Sequence, residues 1–310
     1  MTDRFLVTGA FGCIGAWVTR LLVEEEAPVV AYDLGDDPYR LELVLSPEQF
    51  EQVSRVRGDV TDLEGLEQVV SDHGITHVVH LAALLIPQIK ASPPRGAAVN
   101  VIGTTNVLEA AKRRGLRGVA YASSAAVYGP DDAGGIEDAR RPATLYGVFK
   151  LANEATARVY WEEDGVGSIG LRPYVVYGPG RDQGLTADPT LAMAAAARGE
   201  GYHIGFGGHC QMHHAPDVAR TFVAAARAAG ESCAVFNLGG PVSHMSEVVA
   251  AIEQAAPEVT GAIDFADNQL PFPEELDFGA LSDAIGYAPS TPLAEGVLET
   301  IEHFRRRADS

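Results

Sequence analysis

Tyr146 and Lys150 stand four residues apart in Tyr146-Gly147-Val148-Phe149-Lys150, a spacing that puts both side chains on one helical face. Oxidising a secondary alcohol means removing the O–H proton while hydride leaves carbon. A free tyrosine, with a pKa near about 10, is a poor base for that step at neutral pH. A lysine ammonium one turn away favours the phenolate and lowers that pKa toward the working range. Ser124 ends an apolar run in Ser123-Ser124-Ala125-Ala126. Its hydroxyl would donate a hydrogen bond to the developing carbonyl oxygen and orient the alcohol.

Such chemistry needs a hydride acceptor, and the N-terminal residues supply a place for one. Thr8-Gly9-Ala10-Phe11-Gly12-Cys13-Ile14-Gly15 follows the apolar run Phe5-Leu6-Val7 and opens a helical pattern through Trp17, Val18, Leu21 and Leu22. Gly9 permits a tight turn, Gly12 lets backbone N–H groups approach a pyrophosphate, and Gly15 lets the helix pack on the strand. The helix N-terminus offers unpaired donors and the positive end of its dipole to phosphates. Asp33 closes a second apolar strand, Pro28-Val29-Val30-Ala31-Tyr32. A carboxylate there accepts both hydroxyls of an adenosine ribose and repels a 2′-phosphate, so NAD is expected over NADP.

Elements that position these groups are legible as alternating strand and helix signals through about residue 180, the pattern of a doubly wound parallel sheet. The pattern predicts strands at 4–8, 28–33, 53–57, 77–81, 119–124 and 168–172, with a late strand at 234–238 returning to the sheet. Helices are expected to about residue 26, from near Asp62 (its cap), over 99–114 and over 146–164. Gly115 and Gly165 stop the last two. The expected division is a cofactor-binding unit over 1–180, with 217–240 returning to it. The rest of 181–310 would form mainly a smaller substrate-binding lobe at the carboxyl ends of the strands.

Glycine loop, Asp33, Ser124, Tyr146 and Lys150 together resemble the extended short-chain dehydrogenase/reductase family, also called the NAD-dependent epimerase/dehydratase family. The resemblance runs on through Asp59-Val60, His80-Leu81-Ala82-Ala83, Asn100-Val101-Ile102-Gly103-Thr104, Arg172-Pro173 and Tyr177-Gly178-Pro179-Gly180. It implies an α/β, Rossmann-like fold and NAD as cofactor. The catalytic residues implied are Tyr146, Lys150 and Ser124. Contacts to NAD are implied for Gly9, Phe11, Gly12, Cys13, Ile14, Gly15, Asp33, Asp59, Val60, Leu81, Ala82, Ala83, Asn100, Ser123, Tyr146, Lys150 and Pro173. Family members often pair the helices at 99–114 and 146–164 across a homodimer, so a homodimer is the expected assembly.

Composition narrows the field. The chain has 310 residues, 46% hydrophobic and 21% charged, enough for a substantial core. A net charge of −19 argues against nucleic acid or an anionic membrane as partner. Apolar runs fall short of a membrane span and no basic leader precedes one, so the expectation is a cytoplasmic protein. Cys13, Cys210 and Cys233 lack CxxC spacing, which disfavours a disulfide scaffold or zinc ribbon. His203, His209, His213 and His214 with Cys210 invite a metal reading. Gly207-Gly208 and Pro216 leave little helix to hold them, so no metal is expected.

The reaction and its substrate are narrowed by two gaps in the resemblance. Similar dehydratases carry acids after the catalytic serine or threonine, whereas Ala125 and Ala126 stand here and transfer no proton. Nucleotide-sugar members place an arginine near the diphosphate at the position aligned with Cys210, and Asp188 stands where an asparagine is frequent. Each lost charge-assisted contact would cost about 1.5–3 kcal/mol. Arg181 is the remaining anion grip. Substrate contacts are expected from Leu85, Ser124, Ala125, Tyr174, Arg181 and His209. The first reading is a sugar epimerase. Its alternatives are a dehydrogenase of a free sugar, uronate or polyol, and an NAD-bound redox-sensing regulator.

Overall fold

The computed structural model describes residues 2–132, 140–289 and 291–308. Its first half alternates strand and helix: β1 (Phe5–Thr8), α1 (Cys13–Glu24), β2 (Val29–Asp33), α2 (Tyr39–Val44), α3 (Pro47–Glu51) and β3 (Ser54–Arg57). Then come α4 (Leu63–Asp72), β4 (His77–His80), α5 (Ile86–Ala91), α6 (Pro93–Ala97), α7 (Gly103–Arg114) and β5 (Gly118–Ala122). The long α8 (Leu145–Asp164) leads to β6 (Ser168–Arg172), β7 (Val175–Tyr177), α9 (Asp188–Ala197), β8 (Tyr202–Ile204) and β9 (His209–His214). The chain continues through α10 (Ala215–Ala228), β10 (Cys233–Asn237), β11 (Val242–His244) and α11 (Met245–Ala255). β12 (Ile263–Phe265), α12 (Leu281–Ile285) and α13 (Leu293–Ala308) complete it.

Among the described residues the main sheet has seven strands in the order β10-β6-β5-β4-β1-β2-β3. Every pairing in it is parallel. Strand order reverses beside β1, which lies between β2 and β4, and ligands bind outside the carboxyl ends at such a switch point. Strands β1, β4 and β6 are buried along their whole length, polar residues included. Asp62 caps α4 by accepting the Gly65 N–H, as its position before the apolar pattern suggests. Gly115 and Gly165 end α7 and α8 in the left-handed conformation, with φ of 61° and 68°.

Two stretches depart from the pattern. The helix expected over 99–114 begins as a π-turn at Ala98–Ile102 before the regular turns of α7. Asn100 sits in that turn, and its main-chain carbonyl accepts from Thr104 Oγ1 and Asn153 Nδ2. The short sheets β11-β9-β7 and β12-β8 have runs too brief for a periodic signal. They belong to a separate buried cluster that joins 125–128 and 174–177 to α9, α11 and α13 through residues such as Met193, Ile252 and Ile301.

Buried histidines tie the fold to pH. His80, at the end of β4, lies between Thr8 and Thr104. Thr104 gives its hydroxyl proton to the Asn100 carbonyl, so His80 Nε2–H donates to Thr104 and Nδ1 accepts from Thr8. Burial, reinforced by the Lys150 charge, pushes its pKa down to about 3, and burial pushes His213 to about 3. Unfolded rings bind a proton below about 6.5 while the folded ones stay neutral, so folding stability is full above that pH and falls beneath it. Each ring contributes a slope of about 1.4 kcal/mol per pH unit in that window. Urea midpoints measured from about pH 7 down to about pH 5 should therefore decline, and His80→Gln should flatten the decline by one proton's worth. An identical slope in that variant would contradict the neutral, desolvated ring.

Candidate active site

The glycine-rich turn joins β1 to α1 at the switch point. Gly9 has φ of +69°, and a Cβ on it would lie 2.6 Å from the Ala82 backbone nitrogen. A Cβ on Gly15 would meet the Gly9 carbonyl at 2.2 Å, so only glycine lets α1 start this close to the strand. Around Gly12 a Cβ would approach nothing but the Gly9 carbonyl, at 3.2 Å, leaving its outer face free. Helix α1 starts at Cys13 with no side-chain cap and no acid in its first turn, so its first N–H groups stay available to an anion. Asp33 ends β2 beside this turn and accepts the N–H groups of Phe11 and Gly35, each at 2.9 Å. Open glycine face, uncapped helix start and strand-end carboxylate fit a dinucleotide.

Catalytic candidates converge a few residues further along the sheet edge. Lys150 is buried, and its Nζ donates to the Ala122 carbonyl at 2.6 Å. Burial pulls that ammonium down to about 8. Ser124 follows β5, and its Oγ accepts the Ala126 N–H at 3.1 Å, which leaves the hydroxyl proton for the Tyr146 oxygen. Burial raises the Tyr146 phenol, while the Arg181 charge and the Ser124 hydrogen bond pull it the other way. The Lys150 Nζ stands 5.5 Å from the Tyr146 ring centroid. In the protein alone, then, Arg181 is the cation that acts on the phenol, and Lys150 is turned to Ala122.

A buried polar cluster supports this edge. Glu154, one turn beyond Lys150, accepts from Ser123 Oγ at 2.5 Å and from Arg172 Nε and Nη2, both at 2.7 Å. Arg172 also donates to the Tyr128 hydroxyl, which in turn donates to Asn237. Ser123 is thereby committed to Glu154.

A cavity of about 290 Å³ runs from the glycine turn to these groups. Gly9, Gly12, Cys13, Ile14, Gly15, Leu81 and Ala83 line one part of it. Ser123, Ser124, Ala125, Tyr146, Lys150, Pro173, Tyr174, Leu85 and Arg181 line the other. Cys13 is desolvated, its thiol pushed up to about 12, consistent with a packing role. Arg181 donates to Thr186 at 3.0 Å, and its Nε has no hydrogen-bond partner among the described residues. The buried Tyr174 hydroxyl likewise has none.

Other expected residues lie elsewhere. Phe11, Asp33, Asp59, Val60 and Ala82 sit outside this cavity's lining, around the turn and the ends of β2, β3 and β4. Asp59 accepts the Thr61 N–H, and the Val60 carbonyl accepts from Asn106. Asn100 uses its whole side-chain amide on Leu84, accepting its N–H and donating to its carbonyl, so here it braces the loop after β4. His209 is a correction to the expected substrate contacts: it is half exposed beside Glu274 and edge-on to His244, away from the cavity. Pairing of β9 with β11 directs it there. The neighbouring histidines have separate surroundings, His203 on Asp264, His213 buried without a partner and His214 stacked on Tyr177. Arg40, Gln88, Asp182, Thr186 and Phe272 line the cavity without having been singled out, because none falls in a motif with recognisable spacing.

Comparison with known proteins agrees with this geometry. Residues 5–239 match the NAD dependent epimerase/dehydratase family. A UDP-glucose 4-epimerase of Mycolicibacterium smegmatis is 29% identical, with 98% of this chain and 99% of that protein covered. The UDP-glucose 4-epimerase of Thermus thermophilus in complex with NAD is 26% identical, with a TM-score of 0.80 and coverage of 97% and 99%. A partial-consensus L-threonine 3-dehydrogenase is 25% identical, with a TM-score of 0.83 and coverage of 98% and 100%. The sheet order, the glycine turn and the match over most of the chain lead to one conclusion: this chain belongs to the NAD-dependent epimerase/dehydratase family and is an NAD-dependent enzyme of the extended short-chain dehydrogenase/reductase type.

Proposed function

We propose that this enzyme oxidises a secondary alcohol of a small, anionic, sugar-like substrate, with Tyr146 as base, and then reduces the ketone from its opposite face while the proton returns to the oxygen, giving the epimer. The observation that carries this reading is the convergence of Ser124, Tyr146 and Arg181 on one dry cavity that continues into the glycine turn. NAD held there would supply the hydride acceptor for the oxidation and the hydride donor to the opposite face of the ketone. Tyr146 takes the alcohol proton, Ser124 donates to the developing carbonyl oxygen, and Lys150 holds the nicotinamide ribose hydroxyls. Asp33 accepts the adenosine ribose hydroxyls, and the N–H groups at Cys13 and Ile14 meet the pyrophosphate, that of Gly12 being held by the Gly9 carbonyl.

Anionic character is supported by the Arg181 guanidinium among the residues lining the cavity, with Tyr174 beside it. A nucleotide sugar fits less well. Cys210 is fully buried in the core behind β9 and offers no charge to a diphosphate. Asp188 is occupied by the Tyr202 hydroxyl and the Gly205 N–H. These facts, with the likeness to L-threonine 3-dehydrogenase, support a second reading: a dehydrogenase of a free uronate, sugar or polyol that releases NADH. Residues 1–180 with 217–240 are taken as the cofactor-binding unit, and the rest of 181–310 as mainly the substrate side. Exposed Ile102 just before α7, with Leu145, Val148 and Val159 on α8, suits the proposed homodimer contact.

Uronates, sugars, polyols and nucleotide sugars assayed with NAD separate the readings. A new stereoisomer without net NADH is the expected result, whereas accumulating NADH selects the dehydrogenase. Tyr146→Phe should abolish turnover of whichever substrate responds, by about 10³-fold or more, with NAD affinity nearly unchanged. Near-normal rates in that variant would remove Tyr146 as base. Asp33→Ala should raise NADP affinity relative to NAD, and an unchanged ratio would contradict its ribose role.

A further inference from the structure

Arg40 bridges the two walls of the cofactor cavity. Its Nη1 donates to the Phe11 carbonyl in the glycine turn at 3.0 Å. On the other side, Nε donates to the Gly180 carbonyl at 3.1 Å and Nη2 to Asp182 Oδ1 at 2.6 Å. The guanidinium lies over the Tyr39 ring at 4.6 Å, and the side chain is only 14% exposed. A second tie runs alongside, from Trp17 Nε1 to the Pro179 carbonyl at 2.9 Å. Residues 179–182 are therefore fastened to α1 and α2 across the turn that receives the pyrophosphate. Gly180, at φ of +90°, lets the chain bend under Arg40.

We propose that Arg40 and Asp182 form a latch that keeps NAD and NADH resident, so that the cofactor leaves only after this ion pair opens. The proposal rests on the dinucleotide lying along the glycine turn. Gly12 and Cys13 stand on one wall of the cavity, Gly180 and Asp182 on the other, and Arg40 closes the gap between them. Opening the latch strips the planar guanidinium of a two-sided set of acceptors that a lysine could not satisfy together. It also frees the segment carrying Arg181. Residency suits the epimerase reading, since the reduced cofactor must stay until the same ketone is turned over. In a net dehydrogenase the latch would have to open every cycle, and release would limit turnover.

The test is the dissociation rate of NADH, read by its fluorescence in stopped flow after a chase with excess NAD. No substrate is present, so failure here leaves the proposed reaction standing, and failure of that reaction leaves the rate measurable. Arg40→Ala and Asp182→Ala should each speed release by about tenfold or more, equivalent to about 1.4 kcal/mol. The double variant should be no faster than either single one, and Arg40→Lys should fall between. Asp182→Asn, which keeps the shape of the side chain, guards against misfolding and should also release NADH several-fold faster. Unchanged rates in folded Arg40→Ala and Asp182→Asn would overturn the latch. So would effects that multiply in the double variant, because Arg40 would then act on the cofactor without Asp182.

Discussion

The carboxyl edge of the sheet is held together by a buried ion pair, Glu154 with Arg172, whose side chains are 5% and 1% exposed. Helix α8 carries Tyr146, Lys150 and Glu154 on successive turns, so clamping Glu154 fixes the other two against β5 and β6. The pair is bidentate and its remaining valences go to Ser123, Arg140, Tyr128 and Asn237, the satisfied geometry that such a burial demands. Removing Glu154 would leave the buried Arg172 charge stranded, at a cost of about 3–5 kcal/mol, whereas Glu154 without Arg172 would keep Arg140. Strand β10, arriving late in the sequence beside β6, supplies Asn237 and makes the returning segment part of the site's foundation.

On that foundation the chemistry becomes a matter of charge in a dry place. Desolvation raises the phenol and lowers the ammonium, each toward its neutral form. Lys150 answers by donating to a strand-end carbonyl, and Tyr146 is met by Ser124 and by the field of Arg181. In the proposed reaction Arg181 would have two tasks, favouring the phenolate and facing the anionic end of the substrate. Its neighbour Asp182 is the acid engaged by Arg40, so the cofactor side and the substrate side of the cavity meet in consecutive residues.

Much of this is readable in the sequence because it is written in short-range patterns. The apolar run Phe5-Leu6-Val7 marks β1, glycines mark the ends of α7 and α8, and the spacing of Gly9, Gly12 and Gly15 marks the turn. What escapes depends on contacts between distant segments. Arg40 and Asp182 are 142 positions apart and resemble ordinary surface charges until the fold joins them. The π-turn at Ala98–Ile102 follows from Asn100 binding Leu84, which no helical periodicity announces. His209 stands at the exposed first residue of β9, where pairing with His244 of β11 sets it beside Glu274.

As the proposed base, Tyr146 depends on the Arg181 charge to offset the rise that burial imposes on its phenol. The pH dependence of kcat/KM in the oxidation direction, at saturating NAD, reads that ionisation in wild type and Arg181→Gln. The expected profile rises through the Tyr146 ionisation and moves to higher pH in the variant, which lacks the charge that opposes the effect of burial. A limb that stays at the same pH in both proteins would contradict the electrostatic activation of Tyr146.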